Sequence, residues 1–357
     1  MSTQQSTSSK NRLREFDALR GFSIFLVVYT HILMVAGLGG HETFLGDIIT
    51  SFYMALFFFI SGFFAWKPAS SICKQNITHV LPQKFKALVV SSVVFFALLN
   101  YSRSSDIFGW MTTGFRSYWF TIVLFQMFVI FYTAIGISKL VHREIALPIM
   151  ITLSLAALVV LRSHLLYNWR LWQILDMANL CLFLQFFTFG MICRKYSAKF
   201  QCIISNNITI TILIITFVLV FCILRIPAVS ENEIITLLIY TFITTYIGIL
   251  LLVSLFYISR YYFEKRGFIQ NSLCRWGQRS LDIYMLHFFF LPNLLLLKSF
   301  LSPDNMIVFQ IAICGGLSVF VIAISLLTSC CIRTSDFLAS WLFGSGSRKY
   351  SIDNAQN

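Results

Sequence analysis

Charge is what this chain has least of. Only 11% of its 357 residues are Asp, Glu, Lys or Arg, against roughly a quarter in an ordinary soluble domain. A chain this apolar cannot hide its surface in one water-facing globule, so the soluble classes are excluded. No stretch is long and polar enough for a separate soluble domain, and no repeat or low-complexity segment stands out beyond the apolar bias. Nine cysteines are present, yet none forms a CxxC pair, and Cys330 and Cys331 are merely adjacent. Neither a disulfide framework nor a metal site is expected; the cysteines read as small buried hydrophobes. No small-residue cleavage site follows the first apolar stretch, which Asp17 and Arg20 interrupt, so a signal peptide is not expected there either. Acid is scarcer still: 14 Asp and Glu stand against 27 Lys and Arg, a formal net charge of +13. In a soluble protein that excess would suggest nucleic acid; here the positions of the cations give another reason.

What is present is hydrophobic, 58% of the residues, with Phe at 38 positions. The fold class that follows is all-α: a polytopic membrane protein, a bundle of about ten transmembrane helices around a polar central cavity. The apolar runs place spans at 16–36, 44–66, 84–101, 118–138, 145–162, 175–193, 207–225, 234–257, 280–300 and 306–331. The third is short and carries Ser91 and Ser92. Residues 1–12, rich in Ser, Thr and Gln, read as a disordered cytoplasmic tail. Residues 13–335 form the membrane domain and 336–357 a second cytoplasmic tail. With the first residues placed inside, Arg103, Arg116, Arg162, Arg170, Arg225 and Lys298 fall outside. Arg20 lies within a span, and every other Lys and Arg falls on the inner side. That bias is the positive-inside pattern of a multi-pass protein in a plasma (inner) membrane. It accounts for the basic balance with the lipid bilayer as partner and no nucleic acid.

The first span holds the most informative pattern. Asp17, Arg20 and His31 interrupt it, and an ionisable group inside a span is a functional-site hypothesis by default. At about 100° per residue, the eleven steps from Arg20 to His31 close to within about 20° of three full turns. The two side chains therefore share one face, about 16 Å apart along the axis. Asp17, three residues before Arg20, is placed to pair with it.

Arg14-x-x-Asp17-x-x-Arg20-Gly21, followed by an apolar run to His31, resembles the opening helix of the membrane-bound acyltransferase-3 family. Phe52-Tyr53-Met54-Ala55-Leu56-Phe57-Phe58-Phe59-Ile60-Ser61-Gly62-Phe63 resembles that family's second span, and Tyr118-Trp119-Phe120 the start of its fourth. Gly277-x-x-Ser280-x-x-x-Tyr284-x-x-His287 is similar to its late Gly-x-x-Ser-x-x-x-Tyr-x-x-His span. Three positions depart from the pattern. Ala55 replaces the usual Pro of the second motif, Thr121 stands where Leu is common, and Lys84-Phe85-Lys86 stands where relatives often carry Arg-x-x-Arg. The resemblance implies a ten-span enzyme that moves an acyl group, usually acetyl, onto an extracytoplasmic sugar. Its co-substrate would be acetyl-CoA or another acyl-CoA taken from the cytoplasm, with no bound cofactor. The acceptor would be a cell-surface polysaccharide or its lipid-linked precursor.

Each candidate residue has a chemical and a structural reading. His31 has the titration range of a general base for a sugar hydroxyl, or of a transient acyl carrier; the structural reading is a histidine hydrogen-bonded inside the bundle. Arg20 suits the phosphates of acyl-CoA, or snorkels, or only pairs with Asp17. Asp17 orients Arg20 rather than reacting. Lys84 and Lys86 suit the same phosphates, or anchor a span end. Ser280, Tyr284 and His287 fall at i, i+4 and i+7, within about 40° on a helix. They line the same cavity as His31, with Tyr284 or His287 donating to a developing oxyanion, or they form a structural seam. Trp119 belongs to the aromatic belt or stacks on the acceptor sugar. Asp282 points to another face. Ser61-Gly62 reads as a close helix contact, and His41, His79, His142 and His164 lie in loops. Two other classes remain open: a transporter or flippase for a lipid-linked sugar, and an inactive scaffold of the same fold. Within the enzyme class, succinyl transfer to a glucan is the near alternative.

Overall fold

The computed structural model describes residues 13–38, 43–68, 74–104, 117–163, 169–224, 239–264, 267–292, 294 and 307–344. Among them every regular element is helical. α1 (Arg14–Val35) ends where Gly37 turns the chain with φ 73°, and the amides of Gly37 and Leu38 reach back to the carbonyls of Met34 and Leu33. That double bond is the glycine-terminated helix end expected where no side chain can cap. α2 (Phe44–Thr50), opened by the Thr43 hydroxyl accepting from the Gly46 amide, leads into α3 (Tyr53–Ala65). Ala55 lies inside an unbroken α3, so the departure from Pro leaves that helix regular.

α4 (Lys74–Phe85) carries Pro82, passes through a widened π turn at Lys86–Val90, and continues as α5 (Ser91–Ser104). The helix thus begins well before the expected 84. Pro82 removes one bond of the ladder, and the π turn, one residue wider than an α turn, follows directly after it. Ser91 bonds back to the Ala87 carbonyl at the end of that turn. Ser92 shares a 2.5 Å hydrogen bond with Thr121 on the neighbouring helix α6 (Trp119–Leu140). The Thr at the position where Leu is common is therefore the partner of a buried serine in the span that looked weakest.

α7 (Ala146–Ser163), α8 (Arg170–Ile174) and α9 (Met177–Lys195) follow, then α10 (Ser197–Ile204) and α11 (Asn207–Leu224). A π segment at Ile239–Thr244 runs into α12 (Thr245–Ile258), followed by α13 (Arg260–Glu264), α14 (Phe268–Gln278) and α15 (Ser280–Leu286). A 3-10 turn at His287–Phe289 closes α15; α16 (Ile307–Ile332) and α17 (Asp336–Phe343) complete the chain.

Among the described residues seven helices are long and apolar enough to cross a membrane, and an eighth is added if α10 and α11, bent by 71°, count as one span. The protein is a multi-pass membrane protein. Two expected spans are described only in part: residues 234–238, 293 and 295–300 lie outside the described residues. The described part of the first is π-helical and then α-helical up to Ile258. The described part of the second departs from expectation, because its α-helix stops at Leu286. The tails at 1–12 and 345–357 also lie outside the described residues, as do His41 and His164. The segment expected as the second tail begins with a helix, α17, capped by the Ser335 hydroxyl on the Leu338 amide.

Two glycine crossings set the centre of the bundle. A Cβ on Gly62 would strike the Phe187 carbonyl of α9, and one on Gly190 the Phe59 carbonyl of α3. A Cβ on Gly21 would strike the Leu273 carbonyl of α14, and one on Gly277 the Asp17 carbonyl of α1. The motif glycines let backbones touch, which is how helices associate where lipid removes the hydrophobic drive between them. The α1–α14 crossing then draws polar groups together. Arg14 donates to Asn271 at 2.8 Å, and Gln278 donates to the Asp17 carboxylate at 3.2 Å.

Candidate active site

Because α1 is crossed by α14 at Gly21, its Arg20–His31 face is left for α3, α4, α6 and α15 to cover. They do not fill it. A cavity of about 610 Å³ is lined by Arg20, Ile24 and Val27 of α1 together with residues of those four helices. Arg20, Lys84 and Lys67 give one end positive charge, while Met54, Phe57, Leu124 and Phe120 make the rest largely apolar. Arg20 and Lys84 stand close enough to repel one another. Each is offset by an aromatic face: the Arg20 guanidinium lies 5.2 Å from the Phe64 ring, and the Lys84 ammonium 3.5 Å from that of Phe128. Two neighbouring cations at the mouth of an apolar slot suit a long apolar molecule with an anionic head.

Val27 is the last residue of α1 to line the cavity. His31 is one turn further on, about 6 Å along the axis. There α15 meets α1, because the helix tightens at His287 into a 3-10 turn just ahead of Pro292. His287 lies beyond Tyr284, the last residue of α15 to line the cavity, and does not line it. Its Nε2 stands 3.2 Å from Nδ1 of His31, while its Nδ1 stands 3.1 Å and 2.8 Å from the carbonyl oxygens of Ile283 and Tyr284. Two carbonyls on Nδ1 fix the tautomer: His287 carries its proton on Nδ1 and presents a lone pair at Nε2. His31 must then donate from Nδ1, which makes Nε2 its basic nitrogen. His287 is fully buried and His31 half-buried, so the outer imidazole of the pair is the reachable one. The Phe288 ring packs edge-on against His31 at 4.8 Å.

The other expected site residues divide by place. Ser280 and Tyr284 line the cavity with Arg20 and Lys84. The Tyr284 hydroxyl donates to the Ser117 carbonyl at 3.2 Å, and the Tyr118 hydroxyl returns the contact to the Met285 carbonyl at 2.9 Å. These bonds lock α15 to the start of α6. Tyr284 already gives its proton to a backbone oxygen, and His287 has no N–H left for an oxyanion. Lys86 faces away from the cavity; its ammonium lies 4.6 Å from the Trp341 ring. Trp119 is stacked on Phe183 at 5.6 Å, inside an aromatic cluster with Phe58 and Phe120. Asp17 is tied to α14 through Gln278. Ser61, expected as a close helix contact, and Lys67 also line the cavity. Lys67 follows α3 directly, and that position is the only signal that could have singled it out. Among the described residues no three His, Cys, Asp or Glu groups stand together as a metal site.

The sequence profile of the acyltransferase domain of the acyltransferase-3 family matches residues 13–329. The chain belongs to the acyltransferase-3 family. No curated protein and no solved structure matches the chain. The matched region of this acyltransferase-family protein contains the whole cavity and the histidine pair, and it stops before α17. An acyl donor and a lipid bilayer are the partners that membership and the apolar helices imply.

Proposed function

We propose that this protein transfers an acetyl group from cytoplasmic acetyl-CoA to a hydroxyl of an extracytoplasmic sugar, carried by a surface polysaccharide or its lipid-linked precursor. The observation that carries the reading is the layout of one helix face. Cations at Arg20, Lys84 and Lys67 mark the mouth of an apolar cavity, and a histidine with a basic nitrogen stands one turn beyond its far end. The cationic end takes the phosphates of the donor, and the pantetheine arm fits the apolar run toward Val27. The positive-inside bias supports that end facing the cytoplasm at a plasma (inner) membrane, with both chain ends on the same side.

At the far end His31 Nε2 takes the proton of the acceptor hydroxyl as its oxygen bonds to the thioester carbonyl. The carbon–sulfur bond breaks, the thiolate of coenzyme A leaves, and the imidazolium returns the proton to it. The products are the sugar ester and free coenzyme A. His287 holds the His31 ring so that Nδ1–H points inward and Nε2 outward, and it adds a second imidazole over which the transient charge is shared.

The donor half is tested on purified protein in detergent with acetyl-labelled acetyl-CoA, following thiol release and label on the protein against donor concentration. Arg20→Lys keeps the charge but loses the guanidinium fork. The expected result is a rise in the acetyl-CoA concentration needed for half-maximal signal, about fivefold or more. An unchanged donor dependence removes Arg20 from the donor site. The absence of both binding and thiol release in the wild type counts against acetyl-CoA as donor.

A further inference from the structure

The acyltransferase domain ends at 329, yet the chain continues into a helix that reaches back to the donor cavity. α17 packs on the π turn Lys86–Val90 and on α5. Three contacts hold it there. Trp341 offers its ring to Lys86 at 4.6 Å, and Phe343 meets Phe95 at 6.1 Å. Gly344, with φ +61°, fits against the Gln83 carbonyl and the Ala87 methyl, where a Cβ would collide. Arg333, which precedes α17 in the chain, meets this same end: its guanidinium lies 4.6 Å from the Phe343 ring while it binds Asp282 of α15.

The clamped turn is part of the cavity wall. Lys84, Ala87 and Leu88 all line the cavity, and Ala87 touches Gly344. A π turn has poorer packing and geometry than the α turns beside it. Pro82, which cannot donate to the ladder, lies four residues ahead of it, and the contacts of α17 support the turn from outside. Lys84 and Lys86, two residues apart, point to opposite sides: one into the cavity, the other onto α17.

We infer that α17 is a positioning element for the acyl-donor site. By holding the π turn through Trp341 and Gly344, it keeps Lys84 aimed into the cavity opposite Arg20. The donor part of this inference rests on the function proposed above; the geometric part does not.

The test uses the full chain in detergent and two readouts. One is the dissociation constant for acetyl-CoA by equilibrium dialysis. The other is the rate at which an amine-reactive reagent labels Lys84, read by mass spectrometry against exposed Lys199. For Trp341→Ala the expectation is an acetyl-CoA dissociation constant raised about three- to tenfold. Lys84 labelling should change by a similar factor, with Lys199 unchanged and both effects reversed in Trp341→Phe. Lys86→Gln keeps the ring and should shift both readouts the same way by less, so it decides the matter if Trp341→Ala does not fold. Unchanged dialysis and unchanged Lys84 labelling overturn the inference, as does a Trp341→Phe variant no better than Trp341→Ala. If wild-type protein binds no acetyl-CoA, the donor reading fails, and Lys84 labelling alone decides whether α17 positions the turn.

Discussion

α15 and the turn that closes it supply two buried polar groups five residues apart, Asp282 and His287, which differ in role as well as place. Near its start Asp282 is 2% exposed and saturated. Arg333 grips it with two bonds at 2.7 and 2.9 Å, Arg279 donates at 3.1 Å, and Ser329 donates to the same carboxylate. Just past its end His287 is equally buried and hydrogen-bonded at both nitrogens, while its partner His31 is less buried: Nδ1 of His31 is spent on the pair and Nε2 is its basic nitrogen. A carboxylate held by four hydrogen bonds ties helices together. An imidazole pair with a basic nitrogen can take a proton. The difference separates structure from chemistry on the same short helix.

Removing a partner from each network gives different outcomes. Asp282→Ala leaves Arg333 and Ser329 without their acceptor and breaks the tie between α15 and α16. A buried pair broken from one side costs about 3–5 kcal/mol. The loss should appear as a lowered unfolding midpoint and reduced folded protein, with the activity of each surviving folded molecule near normal. Per-molecule activity that falls while the midpoint holds would break the comparison. His287→Ala is the smaller change in stability and the larger in chemistry. It strands the His31 Nδ1–H, a loss of about 1–3 kcal/mol, and frees the ring to turn. Thiol release from acetyl-CoA should fall about ten- to a hundredfold, and His287→Gln, which can still offer an acceptor, should recover part of it. Equal activity in Ala and wild type would show that the pair does not orient His31.

Much of this was readable from the residues. Long apolar runs placed α1, α6, α7, α9, α11 and α16 to within about two residues, because a membrane span is set by length and hydropathy alone. His31 and Arg20 stood out because ionisable groups are rare in such runs. What the residues could not show was pairing across the chain. Asp282 meets Arg333, and Asp17 meets Gln278, only after α14, α15 and α16 have packed on α1. The place of His287 depends on packing across the chain: it stands beyond Tyr284, the last cavity-lining residue of α15, and meets His31 of α1. Lys84 and Lys86 carry the same charge, and nothing in Pro82-Gln83-Lys84-Phe85-Lys86 announces the π turn that follows or the helix that receives Lys86. The motif glycines were legible as a pattern, but their reason, the α1–α14 contact, is a property of two segments more than 250 residues apart.

The account stands most directly on the basic nitrogen of His31. The decisive measurement is thiol release from acetyl-CoA by His31→Ala and wild-type protein in membranes that retain the acceptor, with the unfolding midpoint of each purified protein recorded alongside. Loss of general-base help predicts a fall of about a hundred- to ten-thousandfold with the midpoint nearly unchanged. Wild-type rates in a folded His31→Ala protein would contradict the account.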